Sequence, residues 1–452
     1  MTTIRQRIIS LTLTIALLFS AVPSTAAETP LPDPRFGAVE AYAAPQQAAD
    51  LRVGWDRMII HWNTRQPDSS GQWIVSGAES PALAEAQTAG REVVALLMGT
   101  PAWATDGTPN IGVPRGLYLP VSDPGNVWAA FVRTIVAERK GQITHWIIWN
   151  EPDITPEDYG AQFEGPVEDY YQLIKVAYLA AKESNPDAVI HFAGLTYWHD
   201  IVHKREPYLK RFLDLARKDS TAPAHNYYFD VLTAHIYFRT ETIPEIISFY
   251  RRVLRQYGLN KPIWLNETNA APMDDPQYPA NPLVRVTMDQ QASFIIQANA
   301  LALAYGAERI AIYKLTDNTP PMPGGESYGL FRPDGTPRPA VEAFRVVTTH
   351  FAGVQQTTHT ARRDYYLVTL NRGDAVTRIA WARTWKAVTL KLRATPKATA
   401  ATLYDQFGKS YPITADSRGN YTLTLPAAVC DTPYGCAVGG APWTLVETLA
   451  RP

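Results

Sequence analysis

The chain has 452 residues, with 42 Lys and Arg against 43 Asp and Glu, for a formal net charge of −1. At 46% hydrophobic residues it can bury a large core, which excludes intrinsic disorder. The balanced charge argues against nucleic acid or an anionic membrane as main partner, because both demand a basic face.

Residues 1–27 read as a signal peptide. Arg5 and Arg7 form a basic start, an apolar run follows over 8–22, and Ser24-Thr25-Ala26-Ala27 supplies the small residues of a cleavage site. The apolar run is short for a spanning helix, which makes an uncleaved anchor the lesser alternative. The implied destination is secreted, periplasmic or cell-surface, with no membrane partner after signal removal.

Short apolar, β-branched runs then alternate with longer amphipathic ones. The predicted strands are 36–42, 55–62, 92–103, 143–151, 188–198, 229–238, 262–269 and 309–317. Clear helix-period segments lie at 127–140, 167–184, 207–218, 243–257 and 289–305, and Gly90, Gly141, Gly258 and Gly306 stand where helices should stop. Eight strands alternating with helices imply parallel pairing and right-handed crossovers. That count suits a closed (β/α)₈ TIM barrel better than an open doubly wound sheet, and the glycine-rich phosphate turn of a dinucleotide fold is missing. The barrel is assigned to residues 28–352.

From there the pattern shifts to period two, with short strands expected at 365–370, 376–381, 387–392, 401–404, 421–425 and 443–447. Asp405-Gln406-Phe407-Gly408 and Ser417-Arg418-Gly419-Asn420 are turn chemistry. Residues 353–452 therefore form a smaller C-terminal β-sandwich, with 35–50 as the alternative source of its first strand. Cys430 and Cys436 are the two cysteines. In an oxidising compartment they suit a small loop disulfide, and no cysteine is left to act in the barrel as nucleophile or metal ligand.

Barrel chemistry sits at the C-terminal ends of the strands. Trp146-Ile147-Ile148-Trp149-Asn150-Glu151-Pro152 is an apolar strand ending abruptly on a carboxylate, and Pro152 cannot extend the ladder. Pro262-Ile263-Trp264-Leu265-Asn266-Glu267-Thr268 does the same three strands later. Either carboxylate alone could be held by a barrel arginine; together, on strands four and seven, they face each other across the mouth and can flank one bond. Retaining glycoside hydrolysis needs its carboxyls about 5–5.5 Å apart and inverting hydrolysis about 6.5–9.5 Å, a choice the sequence leaves open.

With these motifs the chain resembles the clan A glycoside hydrolases, and is most like family 39 and its bacterial exopolysaccharide-processing relatives. Further points of likeness are Thr100-Pro101-Ala102-Trp103-Ala104, Asp230 with His235 and Tyr237, and Tyr328-Gly329-Leu330-Phe331-Arg332. The resemblance implies Glu151 as acid/base and Glu267 as nucleophile. It further implies that Asn150 binds the sugar 2-hydroxyl, Tyr237 hydrogen-bonds Glu267, Arg57 keeps Glu267 ionised from beneath, and His235 lines the pocket. Trp103 joins these as a substrate-binding candidate. Many clan members end strand eight on a Trp that floors the sugar site; here Tyr313 stands in that region and is the candidate platform. Trp62, Tyr197 and Trp198 either line a cleft or cap the barrel.

Two other patterns carry less. Gly325-Glu326-Ser327-Tyr328-Gly329 matches the serine-hydrolase elbow but has neither the strand before it nor the helix after it. His199 and His203 stand four apart next to Asp200, without the glutamate of a zincin motif, and read as a solvated loop after a strand. The expected activity is cofactor-free and metal-free hydrolysis of O-glycosidic bonds by a monomer acting on carbohydrate. The alternatives are a carbohydrate-binding protein that lost turnover and a transglycosylase using the same residues.

Overall fold

The computed structural model describes residues 30–158, 160–279, 282, 284–317, 327–430 and 436–450; the expected signal peptide, residues 1–27, lies outside them. All eight barrel strands form, each shorter than its apolar run: β1 Phe36–Val39, β2 Trp55–His61, β3 Glu92–Met98, β4 His145–Ile148, β5 Val189–His191, β6 Leu232–His235, β7 Ile263–Thr268 and β8 Arg309–Ile312. The runs overshoot because the residues after each strand stay buried while turning away to build the mouth. The sheet order is β5-β4-β3-β2-β1-β8-β7-β6, all pairings parallel. Isolated parallel bridges His191–Val231 and Leu195–Ala234 join β5 to β6 and bring the ring round on itself. Residues 36–39 thus belong to the barrel, not to the C-terminal module.

The helices are α1 Pro45–Asp50, α2 Trp62–Arg65, α3 Glu79–Thr88, α4 Val127–Glu138, α5 Val167–Ser184, α6 Trp198–Val202, α7 Tyr208–Lys218, α8 Thr242–Gln256, α9 Met288–Ala304 and α10 Ala340–His350. Their starts follow local chemistry. The Asn126 side chain accepts from the Ala129 amide, and Thr287 with Gln290 forms a capping box on α9. The four predicted stop glycines all take positive φ, from 67° at Gly90 to 86° at Gly306, in the turns leading back into strands.

Two apolar layers result. Val39, Trp55, Val94, Leu96, Ile147 and Trp264 fill the barrel interior. The larger core lies between the strands and the helices and runs on, without a break, into Tyr366, Val368, Ile379 and Trp381 of the C-terminal module.

Among the described residues that module has eight strands: β9 Gln356–Ala361, β10 Tyr365–Asn371, β11 Ala375–Ala382, β12 Val388–Arg393, β13 Ala398–Tyr404, β14 Ser410–Pro412, β15 Asn420–Leu425 and β16 Trp443–Leu449. An antiparallel six-stranded sheet, β14-β13-β16-β11-β10-β9, packs against the pair β12-β15 over Leu390, Leu392, Leu403, Leu423 and Leu445. The sequence pattern missed β9 and β14, which are edge strands. Gln-Thr-Thr-His-Thr-Ala in β9 shows no apolar alternation because an edge facing water buries little. The module is held to the barrel by an Arg383–Glu241 ion pair at 2.8 Å and by Gln297 Nε2 donating to the Gly440 carbonyl at 2.9 Å. Cys430 and Cys436 are disulfide-bonded.

Candidate active site

Strict alternation would not turn Glu267 inward. Trp264 points into the barrel and Leu265 outward, so the third residue after Trp264 should face the helices. A bulge changes this: pairing with β6 jumps from Ala234–Leu265 to His235–Glu267, leaving Asn266 as the extra residue. The β8 side shows the matching shift, from Leu265–Ile310 to Thr268–Ile312. The bulge re-aims the carboxylate into the mouth. Arg57 needs no such device, standing two residues above the interior Trp55 on β2.

Glu151 arrives by a different route. Past β4, Trp149 and Glu151 both adopt left-handed backbone, with φ of 71° and 42°, each costing about 1–3 kcal/mol. Packing holds them there. Trp149 is fully buried against Trp128 and Phe163, its Nε1 donating to the Gln162 carbonyl at 2.7 Å. Buried Asp153 accepts from the Thr196 amide, the Thr196 hydroxyl and the Tyr197 amide, tying this loop to the one after β5.

The side chains converge. Arg57 forms an ion pair with Glu267 Oε1, both nearly excluded from solvent, and the Tyr237 hydroxyl donates to Glu267 Oε2. His235 Nδ1 lies 2.6 Å from Glu151 Oε1 and 3.4 Å from Glu267 Oε2. One ligand-type atom each of Glu151, His235 and Glu267 fall within 4.8 Å of one another. Burial alone would raise the Glu267 pKa, but the Arg57 charge, then His235 and the Tyr237 hydrogen bond, hold it below the ordinary carboxylate value. Burial first, and then the same carboxylate, push the Tyr237 hydroxyl well above its usual range, so it remains a donor.

Tyr313 lies beside this group. Its ring meets Tyr237 at 5.9 Å and Tyr328 at 5.7 Å, both edge-on, and burial followed by the Glu267 charge raises its pKa. Asn150 is buried next to Glu151, with its Oδ1 lacking a hydrogen-bond partner. A cavity of about 590 Å³ opens over Glu151, His235 and Tyr237, walled by Trp198, Phe238 and Tyr328.

Other residues singled out in the sequence have contacts of their own. Trp103 packs edge-on against Trp62, and its Nε1 donates to the Gln66 carbonyl at 2.6 Å, so its polar edge is committed to the scaffold. Trp62 is fully buried and stacks on Phe131. Asp230 sits just before β6 and accepts from the Ile190 amide, away from the mouth. Ser327 is buried and in no strand-to-helix elbow; Gly325 and Glu326 lie outside the described residues.

The reading of His199 and His203 as a solvated loop is corrected. His199 is on α6, His203 caps it, and both rings turn to Asp158, not to the adjacent Asp200. Asp200 is buried and bonded instead to Arg205, Arg211 and the Tyr208 amide.

Sequence reasoning missed three contributors. A Cβ on Gly194 would fall 2.0 Å from His235 Nε2, so only glycine leaves room for the imidazole. Lys314 pairs with Glu40 at 2.8 Å, linking the ends of β8 and β1 at the mouth. Asp153 has no motif at all. None is legible without the strand neighbours that make it necessary.

No protein-family model and no curated protein matches the sequence. Solved structures do. A family 39 glycoside hydrolase from Bacteroides cellulosilyticus superposes with a TM-score of 0.69 at 17% identity, covering 92% of this chain and 81% of that one. A GH30 endoxylanase from Clostridium papyrosolvens gives 0.61 at 14% identity, over 92% and 97%. A monomeric β-xylosidase from Caulobacter crescentus gives 0.61 at 13% identity, over 93% and 98%. The shared property is the fold: an eight-stranded barrel with an attached β-sandwich.

Proposed function

We propose that this protein is a retaining glycoside hydrolase, with Glu267 as nucleophile and Glu151 as acid/base. The observation that carries the reading is the clustering of Glu151, His235 and Glu267 atoms within 4.8 Å, which supports the separation of about 5–5.5 Å between retaining carboxyls over the wider inverting one. The chemistry then follows from the surroundings. Ionised Glu267, held by Arg57 and steadied by Tyr237, attacks the anomeric carbon while Glu151 protonates the departing glycosidic oxygen. The glycosyl–Glu267 ester forms as the glycosidic bond breaks. Water then attacks the anomeric carbon of that ester, Glu151 takes the water proton, and the bond from the anomeric carbon to Glu267 breaks to release Glu267 as carboxylate.

The unsatisfied Asn150 Oδ1 supports its assignment to a sugar hydroxyl, and Tyr313 is the aromatic floor. The likeness to a family 39 hydrolase, an endoxylanase and a β-xylosidase supports a β-linked carbohydrate as substrate. The basic-then-apolar start supports action outside the cytoplasm.

The test is trapping with 2-deoxy-2-fluoro glycosides bearing activated leaving groups, followed by peptide mass mapping. A covalent sugar on Glu267 is the expected result. A label on another residue, or turnover with inversion of the anomeric centre by NMR, would overturn the mechanism.

A further inference from the structure

We infer that Asp158, His199 and His203 form a binding site for one divalent transition-metal ion, best suited to Zn²⁺, on the rim of the active-site cavity. The three residues come from two connections: Asp158 follows β4, while His199 lies on the short α6 after β5 and His203 caps its C-terminal end. The i,i+4 spacing puts both imidazoles on one side of a helical turn. His199 presents Nδ1 at 3.2 Å from Asp158 Oδ2, and His203 presents Nε2 at 2.6 Å from Asp158 Oδ1. All three donor atoms fall within 4.8 Å of one another. Bonds of about 2.0–2.2 Å from nitrogen and oxygen to tetrahedral zinc bring ligand atoms to comparable mutual distances, so modest side-chain rotations suffice.

Donor chemistry selects the ion. Two imidazoles with one carboxylate favour Zn²⁺ over Ca²⁺ or Mg²⁺, which prefer all-oxygen sets. Three protein ligands leave a fourth position open. Asp158 and His199 line the same cavity as Glu151 and His235, so that position faces space a water or a substrate oxygen can enter. The surroundings are prepared. The Thr155 hydroxyl donates to Glu157 and lies 3.3 Å from Asp158 Oδ2. The nearest cation, Arg205, is 3.9 Å from Asp158 Oδ2, but its guanidinium is turned to Asp200 at 3.2 Å, the Thr155 hydroxyl at 2.8 Å and the Asp153 carbonyl at 3.2 Å. Its charge is therefore largely answered within the loops.

An ion here would clamp the loop that begins at Glu151 to the loop after β5, replacing the imidazole protons that Asp158 accepts. The site stands whether or not the glycosidase reading holds, because binding is its readout. The experiment is titration of chelator-stripped full-length protein with Zn²⁺ by calorimetry, paired with thermal melting. One saturable ion per chain and a raised melting temperature are expected. His203→Ala and Asp158→Asn should each weaken binding roughly tenfold or more, with circular dichroism unchanged. Absence of saturable binding overturns the inference. So does binding that persists in the His199→Ala/His203→Ala double variant, and binding lost in Glu267→Gln would assign the ion to the catalytic trio instead.

Discussion

The two ends of the barrel both gather buried or half-buried ionisable groups, yet they are arranged differently. At the N-terminal end, Glu92, His145 and Arg309 are the first residues of β3, β4 and β8. Trp264 is packed by His191 at 4.5 Å, His145 at 5.0 Å and the Arg309 guanidinium at 4.3 Å. Arg309 pairs with Glu92 at 2.6 Å, and His145 meets His191 at 2.8 Å. Four of the turns leading into this end are relaxed by glycine at positive φ. At the mouth, positive φ is taken by Glu40, Trp149, Glu151, Tyr197 and Phe238 beside Gly99, while at the lower end Arg52, Asn226, Tyr227 and Tyr228 take it without glycine. Strain that glycine would relieve is retained where a side chain is needed. The lower end closes the barrel; the upper end holds the charges that the proposed chemistry requires.

The contrast is sharpest if the two ends are mutated separately. Glu267→Gln should lower turnover by about 10⁴-fold or more while the protein still folds, as measured by steady-state kinetics and melting. Retention of substantial activity on an unactivated substrate would remove the mouth's claim to the chemistry.

Glu151→Ala should cost about 10²–10⁴-fold on substrates with poor leaving groups and much less on activated aryl glycosides. Equal losses on both would deny it the acid role. Trp264→Ala, a large-to-small change at a site 1% exposed, should destabilise by about 3–5 kcal/mol in denaturant unfolding, with little change in turnover per folded molecule. A turnover loss rivalling that of Glu267→Gln in still-folded protein would break the division between the two ends.

Tyr237→Phe removes a hydrogen bond that favours ionised Glu267. The acidic limb of kcat/KM should therefore move to higher pH, with an activity loss of about 10-fold at neutral pH. A limb that stays in place would mean that Tyr237 only packs.

The smallest effect belongs to the lower end. Burial, countered by Glu92 and reinforced by Arg309, pushes the His145 pKa down to about 4. The unfolded chain, with an ordinary value near 6.5, therefore binds this proton first as pH falls. Its contribution is fully present above about pH 6.5 and is lost between there and about pH 4, on the order of 2–3 kcal/mol. His145→Gln should flatten that part of the stability profile. An unchanged slope would place the acid sensitivity elsewhere, His191 included, since burial lowers its pKa too.

Much of this was legible in the linear chain. Strand and helix alternation follows from hydrophobic period, because a parallel sheet covered by helices buries both faces and leaves near-continuous apolar runs such as Ile263-Trp264-Leu265. Carboxylates ending two such runs marked Glu151 and Glu267, since burying an ionisable group after an apolar strand demands a reason. The polar edge strands β9 and β14 gave no comparable signal. Trp103 carried a weaker signal, because aromatic residues serve packing and sugar binding equally well and its bond to Gln66 engages only its polar edge.

Composition and period by themselves determined the barrel, the β-sandwich and the strands that carry the two glutamates, because those properties depend on local repeats of burial. Tertiary structure alone decided that a bulge at Asn266 turns Glu267 inward, that Gly194 makes room for His235, and that Asp158 meets two histidines 41 and 45 residues further along the chain. Each of these depends on which strand or loop lies next to which. That adjacency is a property of the closed ring, and no window of sequence contains it.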